Sequence, residues 1–233
     1  MARKAERSKT GKRIAIIDGC RVPFQRSGTG YYDIMAWELG RYAVKGLLAK
    51  TGVSPEDIDH VLMGCVATDI ATTNVAREVA LGAGLPKKVP AHTCTIACVS
   101  ANAAFTNGAN LIETGNADVI VIGGVESFSD ADIKVSKRFR RFILDMTMYH
   151  KPKSFKDTLR HLRGMTPLDF VLPERPAVSE YATGLLMGQT AEILAKRMGI
   201  SRQEQDEFAV LSHQRALKAQ EDGVFRKEVV PVV

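Results

Sequence analysis

The chain has 233 residues, 45% of them hydrophobic: enough to bury one large core or two small ones, and too apolar for a disordered tail or a collagen-like fibre. Its 32 basic and 26 acidic side chains leave a formal charge of +6, which admits nucleic acid, acidic lipid or a phosphate-bearing ligand without choosing among them. No apolar run nears the ~20 residues of a membrane-spanning helix. The longest, residues 119–125, contains Gly123 and Gly124, so a soluble chain is expected. Cys20, Cys65, Cys94 and Cys98 form no repeated CxxC pairs, which suggests neither a disulfide framework nor a structural zinc site and fits a reducing cytosol.

The charge is uneven. Residues 1–13 hold six basic side chains against Glu6, a balance of +5, and read as a flexible basic tail without the apolar core of a secretory signal. Residues 132–163 hold ten basic side chains against Asp132, Asp145 and Asp157, a balance of +7, so the rest of the chain carries −6. A mildly acidic body therefore bears one basic tail and one basic insertion.

In chain order, the apolar run Ile14 to Ile17 predicts a buried strand. Ala36, Gly40, Ala43 and Leu47 recur at helical spacing, and Gly52 ends that helix. Ser54 caps a short turn with Pro55 at its first position and acids at Glu56 and Asp57. Val61 to Met63 predict a second strand, Asn74 to Leu81 a helix, Ser100 to Leu111 another, and Asp118 to Ile122 a strand running into Gly123 and Gly124. Strands alternating with helices indicate a layered α/β fold with a mainly parallel sheet. Beyond Glu126 the character changes to a basic stretch with Phe and Met, then prolines, then two helices. Met187, Ala191, Leu194 and Met198 form an apolar stripe on the first. The Ser201 to Glu204 capping box starts the second, with Phe208 and Leu211 expected inward. The apolar run Val229 to Val233 resembles a strand cut short.

The segment Thr95 to Ala104 holds the main chemical candidate. An apolar approach ends at Cys98, and small residues follow at helical spacing, so the thiol is expected at a strand-to-helix turn near free N–H groups. The positive end of a helix favours thiolate over thiol, and a thiolate can attack a carbonyl. The alternative is an ordinary buried cysteine. His92 and Cys94 invite a metal reading, but strand geometry does not bring them to Cys98 and no second pair exists; no metal is expected. Cys20 and Cys65 each follow a strand and suit core packing. Gly28-Thr29-Gly30 lacks the third glycine of a dinucleotide loop, and Gly123-Gly124 has no lysine for phosphate. The basic stretch Lys134 to Arg163 interleaves Phe139, Phe142, Met146, Met148, Tyr149 and Phe155 with charge, which suits a solvated face, an acidic lipid surface or a phosphorylated ligand.

Several motifs in order resemble the thiolases. They are Arg21-Val22-Pro23-Phe24, Asn74-Val75-Ala76-Arg77, the Cys98 turn, Gly123-Gly124-Val125-Glu126-Ser127, Met187 to Glu192, Ser201 to Ala209, and Gly223 to Val232. Within the family the pattern is most similar to the thiolase subunit of the fatty-acid-oxidising trifunctional complex, in which Ala-Asn follows the Cys-x-Ser as Ala101-Asn102 do here. The resemblance implies an acyltransferase that cleaves 3-ketoacyl-CoA, or runs the reverse condensation, through an acyl group on Cys98. It implies coenzyme A as substrate with no permanently bound cofactor. Met187 would lie beside the pantetheine arm, in a CoA-covering loop domain over residues 127–233 that follows an α/β domain over residues 14–126 lacking its last strand. Leu186 replaces the family's histidine before that methionine. The partners implied are a homodimer or tetramer, or a complementary C-terminal half; an acidic membrane surface at 134–163 is a further expectation, and no nucleic acid is expected. The family's Gly-His-Pro and Cys-x-Gly motifs do not occur, so the chain is expected to be a fragment or one part of a split enzyme, inactive alone and poorly soluble. A non-catalytic interaction subunit of the same fold is the rival expectation, and a decarboxylating ketoacyl synthase is the rival chemistry.

Overall fold

Strand β1 (His60–Gly64) is the middle of a three-stranded parallel sheet, between β2 (Ala91–Cys94) and β3 (Ile120–Gly124). The register sets Leu62 opposite both His92 and Ile122, and Gly64 opposite Cys94 and Gly124. The computed structural model describes residues 14–67, 69–129, 134–149, 154–174 and 179–233. The basic tail 1–13, and Asp132, Lys151 and Lys153 of the basic insertion, lie outside the described residues.

A central strand covered on both faces is apolar along its length rather than alternating, and β1 follows that rule from Val61 to Met63, after His60 at its half-buried start. Val61 and Met63 point to one side, into a core with Val44, Val75, Val79, Leu85, Val89 and Val121. Leu62 points to the other, onto Ala104 and Cys94, with Leu111, Ile120 and Ile122 around them. Helices α1 (Ala36–Thr51) and α2 (Val75–Ala83) cover the first face, and α3 (Ser100–Glu113) covers the second. The result is a layered α/β arrangement. The expected stop signal is used: Gly52 closes α1 at φ 69°, a left-handed position open to glycine. Asn74, expected only as the first residue of a helix, caps α2 by accepting from the Arg77 N–H at 3.3 Å. Asn74 also donates to the Ala91 carbonyl and accepts from the Thr93 hydroxyl, both at 3.0 Å, which pins the helix start to β2.

Three expectations differ. The run Ile14 to Ile17 joins no ladder, and Ile16 and Ile17 are 75% and 74% exposed. A strand needs a partner as well as the right side chains, and among the described residues the outer edge of β3 carries none. Those isoleucines instead line an apolar groove of about 270 Å³ with Val119 to Ile122. The terminal valines likewise make only one bridge, Val229 to Arg21, with Val230 against Gly46 of α1. Finally, Phe208 and Leu211 are 70% and 39% exposed: one capped helix supplies an apolar face but not the surface that would cover it.

The chain gathers into two units, one of residues 14–129 with 217–233, the other of residues 134–216. The second contains a short antiparallel pair, β4 (Lys134–Val135) with β5 (Pro173–Glu174), then α4 (Lys137–Leu144), α5 (Phe155–Leu162), α6 (Pro167–Val171), α7 (Met187–Met198) and most of α8 (Arg202–Glu221). Phe139 stacks on Phe142 at 6.4 Å and meets Phe170 of α6 at 4.9 Å. Ser136 ties the two helices by donating to the Asp169 carbonyl at 2.8 Å and accepting from the Phe139 N–H. No described residue of this unit is buried.

Candidate active site

Cys98 lies on the turn between β2 and α3, two residues before the helix, and its side chain is exposed. The turn is tight. Ala97 adopts φ 42°, a left-handed conformation that costs a residue with a β-carbon about 1–2 kcal/mol. The buried Ser100 hydroxyl offsets that cost from both sides, accepting from the Ile96 N–H at 2.9 Å and donating to the Ala97 carbonyl at 2.6 Å. The Val99 and Ser100 amides are engaged by the Ile96 and Ala97 carbonyls. Beyond them lies the first turn of α3, whose amides have no acceptor within the helix.

Small residues seat the helix close to the sheet. A β-carbon on Gly64 would lie 2.4 Å from the Ala101 nitrogen, and one on Gly124 would lie 2.8 Å from the Ala101 Cβ. Ala104 is fully covered, and Gly108 lies under Ile122. The nucleophile candidate is thus placed over the C-terminal ends of β1 and β3 by backbone-to-backbone approach.

There it borders a cleft of about 690 Å³ lined by Phe24, Met63, Cys65, Ala101, Glu126 and Phe128 among others. Arg21 also lines this cleft, paired with Glu228 at 2.9 Å and stacked over Phe24 at 4.7 Å and Phe225 at 5.3 Å. Cys20 donates its thiol to the Ala43 carbonyl at 3.1 Å, and burial pushes that thiol's pKa up. Ser127 is buried and donates to the Ile34 carbonyl, which anchors the segment after β3 to the start of α1.

Two residues of the cleft make contacts that spacing did not reveal. Cys65, expected as core packing, is buried and donates its thiol to the Glu126 carboxylate at 3.2 Å. Burial, then the hydrogen bond and charge of Glu126, push its pKa up to about 12. Glu126, part of the Gly-Gly-Val-Glu-Ser motif, also accepts from the Val66 N–H at 3.0 and 3.1 Å and from the Ala67 N–H at 3.0 Å. The convergence of these donors depends on which loops end side by side, and a single segment does not carry that information.

Met187 opens α7 in the other unit with an exposed side chain, and the Leu186 N–H donates to Gln189 at 2.8 Å. His92 and Cys94 share β2, with His92 against His60 at 5.2 Å and Cys94 accepting from Asn107 at 3.3 Å. Among the described residues no group of three or more His, Cys, Asp or Glu could hold a metal ion, and no helix is long and apolar enough to cross a membrane.

A sequence model described as "Thiolase, N-terminal domain" matches residues 14–233. The trifunctional enzyme subunit beta, mitochondrial, of Homo sapiens is 46% identical over 220 residues, covering 94% of this chain and 45% of that protein. A 3-ketoacyl-CoA thiolase of Pectobacterium atrosepticum is 42% identical over 223 residues, covering 96% of this chain and 50% of that protein. Among solved structures, the Bacillus anthracis acetyl-CoA acetyltransferase matches with a TM-score of 0.74 at 27% identity, over 91% of this chain and 48% of that one. The chain thus spans about half the length of the curated relatives it matches.

Proposed function

The chain belongs to the thiolase family, and from that premise we propose that it carries the nucleophile of an acyltransferase cleaving 3-ketoacyl-CoA, or running the reverse condensation, through an acyl-Cys98 intermediate. The observation that supports this most directly is the exposed Cys98 thiol, on a strained strand-to-helix turn, bordering a cleft of about 690 Å³.

In the degradative direction the Cys98 thiolate attacks the 3-keto carbonyl. The bond between C2 and C3 breaks, and the departing two-carbon carbanion equivalent takes a proton and leaves as acetyl-CoA. The thiolate of a second CoA then attacks the acyl-cysteine, and Cys98 is released as thiolate. Splitting one carbon–carbon cleavage into two acyl transfers lowers each barrier. The Cys98 backbone N–H, beside the first turn of α3, is the proposed donor to the tetrahedral oxyanion. The Gly-His-Pro and Cys-x-Gly motifs, which the family resemblance makes the carriers of the acid and base, do not occur in this sequence. Turnover is therefore proposed for this chain together with sequence that supplies them, as a homodimer or tetramer or with a complementary C-terminal half.

Met187 is proposed to contact the pantetheine arm of CoA, with no permanently bound cofactor. The basic amphipathic helices α4 and α5, with Phe155 of α5 exposed and Met148 exposed on the π-helical segment that follows α4, support a contact with an acidic membrane surface. Four unpaired cysteines support a reducing compartment, for which the cytosol is proposed.

The test is to combine the chain with a thiolase C-terminal half, incubate with an acyl-CoA, and weigh the peptide containing position 98. An acyl mass on that peptide, absent in Cys98→Ala, is expected. Stable association with no acyl mass and no turnover would favour a non-catalytic interaction subunit.

A further inference from the structure

Glu126 joins three loops that end at the same edge of the sheet. Its carboxylate accepts from the Cys65 thiol, the Val66 N–H and the Ala67 N–H, all on the loop after β1, some sixty residues away in sequence. Cys65 passes the connection on: its N–H donates to the Cys94 carbonyl at 3.1 Å, and its own carbonyl accepts from the Thr95 hydroxyl at 2.7 Å. Thr95 immediately precedes the Ile96–Ser100 turn that carries Cys98 and that the Ser100 hydroxyl closes.

A carboxylate is a poor choice for filling this space if filling were all it did. It borders the cleft that Cys98 borders, where a negative charge opposes formation of a thiolate. Its oxygens are, however, acceptor-only, and they match three donors converging from one loop. Backbone N–H groups ordinarily find a carbonyl partner in a ladder. Here they stand past the end of β1, and the carboxylate replaces that ladder. The Cys65 thiol, held protonated by burial and by Glu126 itself, remains a donor at neutral pH.

We propose that Glu126 is a positioning residue for Cys98, acting through the Cys65–Ala67 loop and Thr95 to hold the Ile96–Ser100 turn in its reactive geometry. This rests on the reading of Cys98 as the nucleophile. The other titratable or charged groups lining the cleft are Cys20, Arg21, Tyr31 and Cys65. Of these only Cys65 is itself coupled to Glu126, whose hydrogen bond and charge help to hold its thiol protonated, so the Cys65→Ala variant separates a change in the Cys98 profile that passes through the Cys65 thiol from one that does not.

The experiment measures the rate of iodoacetamide labelling at Cys98, by peptide mass, from about pH 6 to about pH 10 across the ordinary thiol range. It uses the whole chain as wild type, Glu126→Ala, Glu126→Gln, Cys65→Ala and, as a core control on α2, Val79→Ala, each with its thermal unfolding. Glu126→Ala is expected to label Cys98 roughly tenfold more slowly at neutral pH, with the pH midpoint moved upward. Glu126→Gln, which keeps one accepting oxygen, and Cys65→Ala, which removes one donor, are expected in between, and Val79→Ala is expected to match wild type despite its lower stability.

A Glu126→Ala profile equal to wild type overturns the proposal. Faster labelling with a lowered midpoint also overturns it, because Glu126 would then act only as a nearby negative charge. Equal slowing in Val79→Ala overturns it as general destabilisation. If Glu126→Ala does not fold, unchanged profiles in Glu126→Gln and Cys65→Ala overturn it. Failure of the nucleophile reading looks different: wild-type Cys98 would label no faster than a cysteine in an unstructured peptide.

Discussion

Replacing Gly64 by alanine sets a methyl group against the start of α3, and the collision can be measured. The added carbon would lie 2.4 Å from the Ala101 nitrogen, 2.5 Å from the Ser100 carbonyl carbon and 2.8 Å from the Ala101 Cα. Unstrained contact between such atoms begins near ~3.5 Å, so the helix start must retreat by about 1 Å. All three atoms are backbone, and the next turn of α3 is already seated by the fully buried Ala104, so no side chain can rotate out of the way. Overpacking of this kind costs about 1–3 kcal/mol, or roughly 2–12 °C in Tm for a chain of this size. The retreat carries the Cys98 turn with it, and a shift of about 1 Å in a reacting group costs up to ~100-fold in rate. Thermal unfolding and Cys98 labelling on the same samples give both readouts. A Gly64→Ala chain with Tm within about 1 °C of wild type and an unchanged Cys98 rate would refute the idea that close approach of α3 to β1 sets the thiol's position.

Two further outcomes follow from the environments of single groups. Iodoacetamide at mildly alkaline pH is expected to modify the exposed Cys98 and to leave the buried Cys65, whose pKa is pushed up to about 12, unmodified in the folded chain; comparable labelling of both, read by peptide mass, would contradict the burial described for Cys65. Partial desolvation on β2, where His92 keeps an exposed face, and then the neighbouring His60, hold the His92 imidazole below its ordinary value near 6.5. The unfolded chain therefore takes up that proton more readily, so the stability contribution is intact above pH 6.5 and falls as pH drops through 6.5 toward the folded value. Urea midpoints measured on either side of that window should decline toward acid, and His92→Asn should flatten the decline; a slope unchanged in His92→Asn would contradict it.

Much of the first unit was legible because its signals are local. Gly52 marks a helix end and Ser54 the start of the next turn through properties of their own backbone and side chain, and Val61 to Met63 read as a buried strand because the central strand of a covered parallel sheet has no polar face. β2 was legible only through the strand-to-helix turn expected at Cys98: Ala91-His92-Thr93-Cys94 has no apolar run of its own, and its bounds are set because β1 offers it a ladder and Asn74 ties it down. Ile14 to Ile17 show the converse, four apolar residues without a ladder to join. The thiol turn at Cys98 could be read from an apolar approach followed by small residues, whereas the pairing of Cys65 with Glu126 could not, since it depends on β1 and β3 being neighbours.

The same distinction bears on how the Cys98 turn keeps its shape. An alanine at φ 42° has no intrinsic reason to stay there, and an isolated Thr95–Ala104 peptide would relax to ordinary backbone angles. What prevents relaxation is distributed: Ser100 closes the turn from within, Gly64 and Gly124 let α3 press down on the strand ends, and Cys65 holds Thr95 from the neighbouring loop. Each of these restraints acts on the backbone around Cys98 and none uses the thiol itself, which leaves the sulfur exposed and free to react while its position is fixed. The acyl-carrying role proposed for Cys98 calls for that combination, because a thiol committed to structural hydrogen bonds would lose them at every acylation.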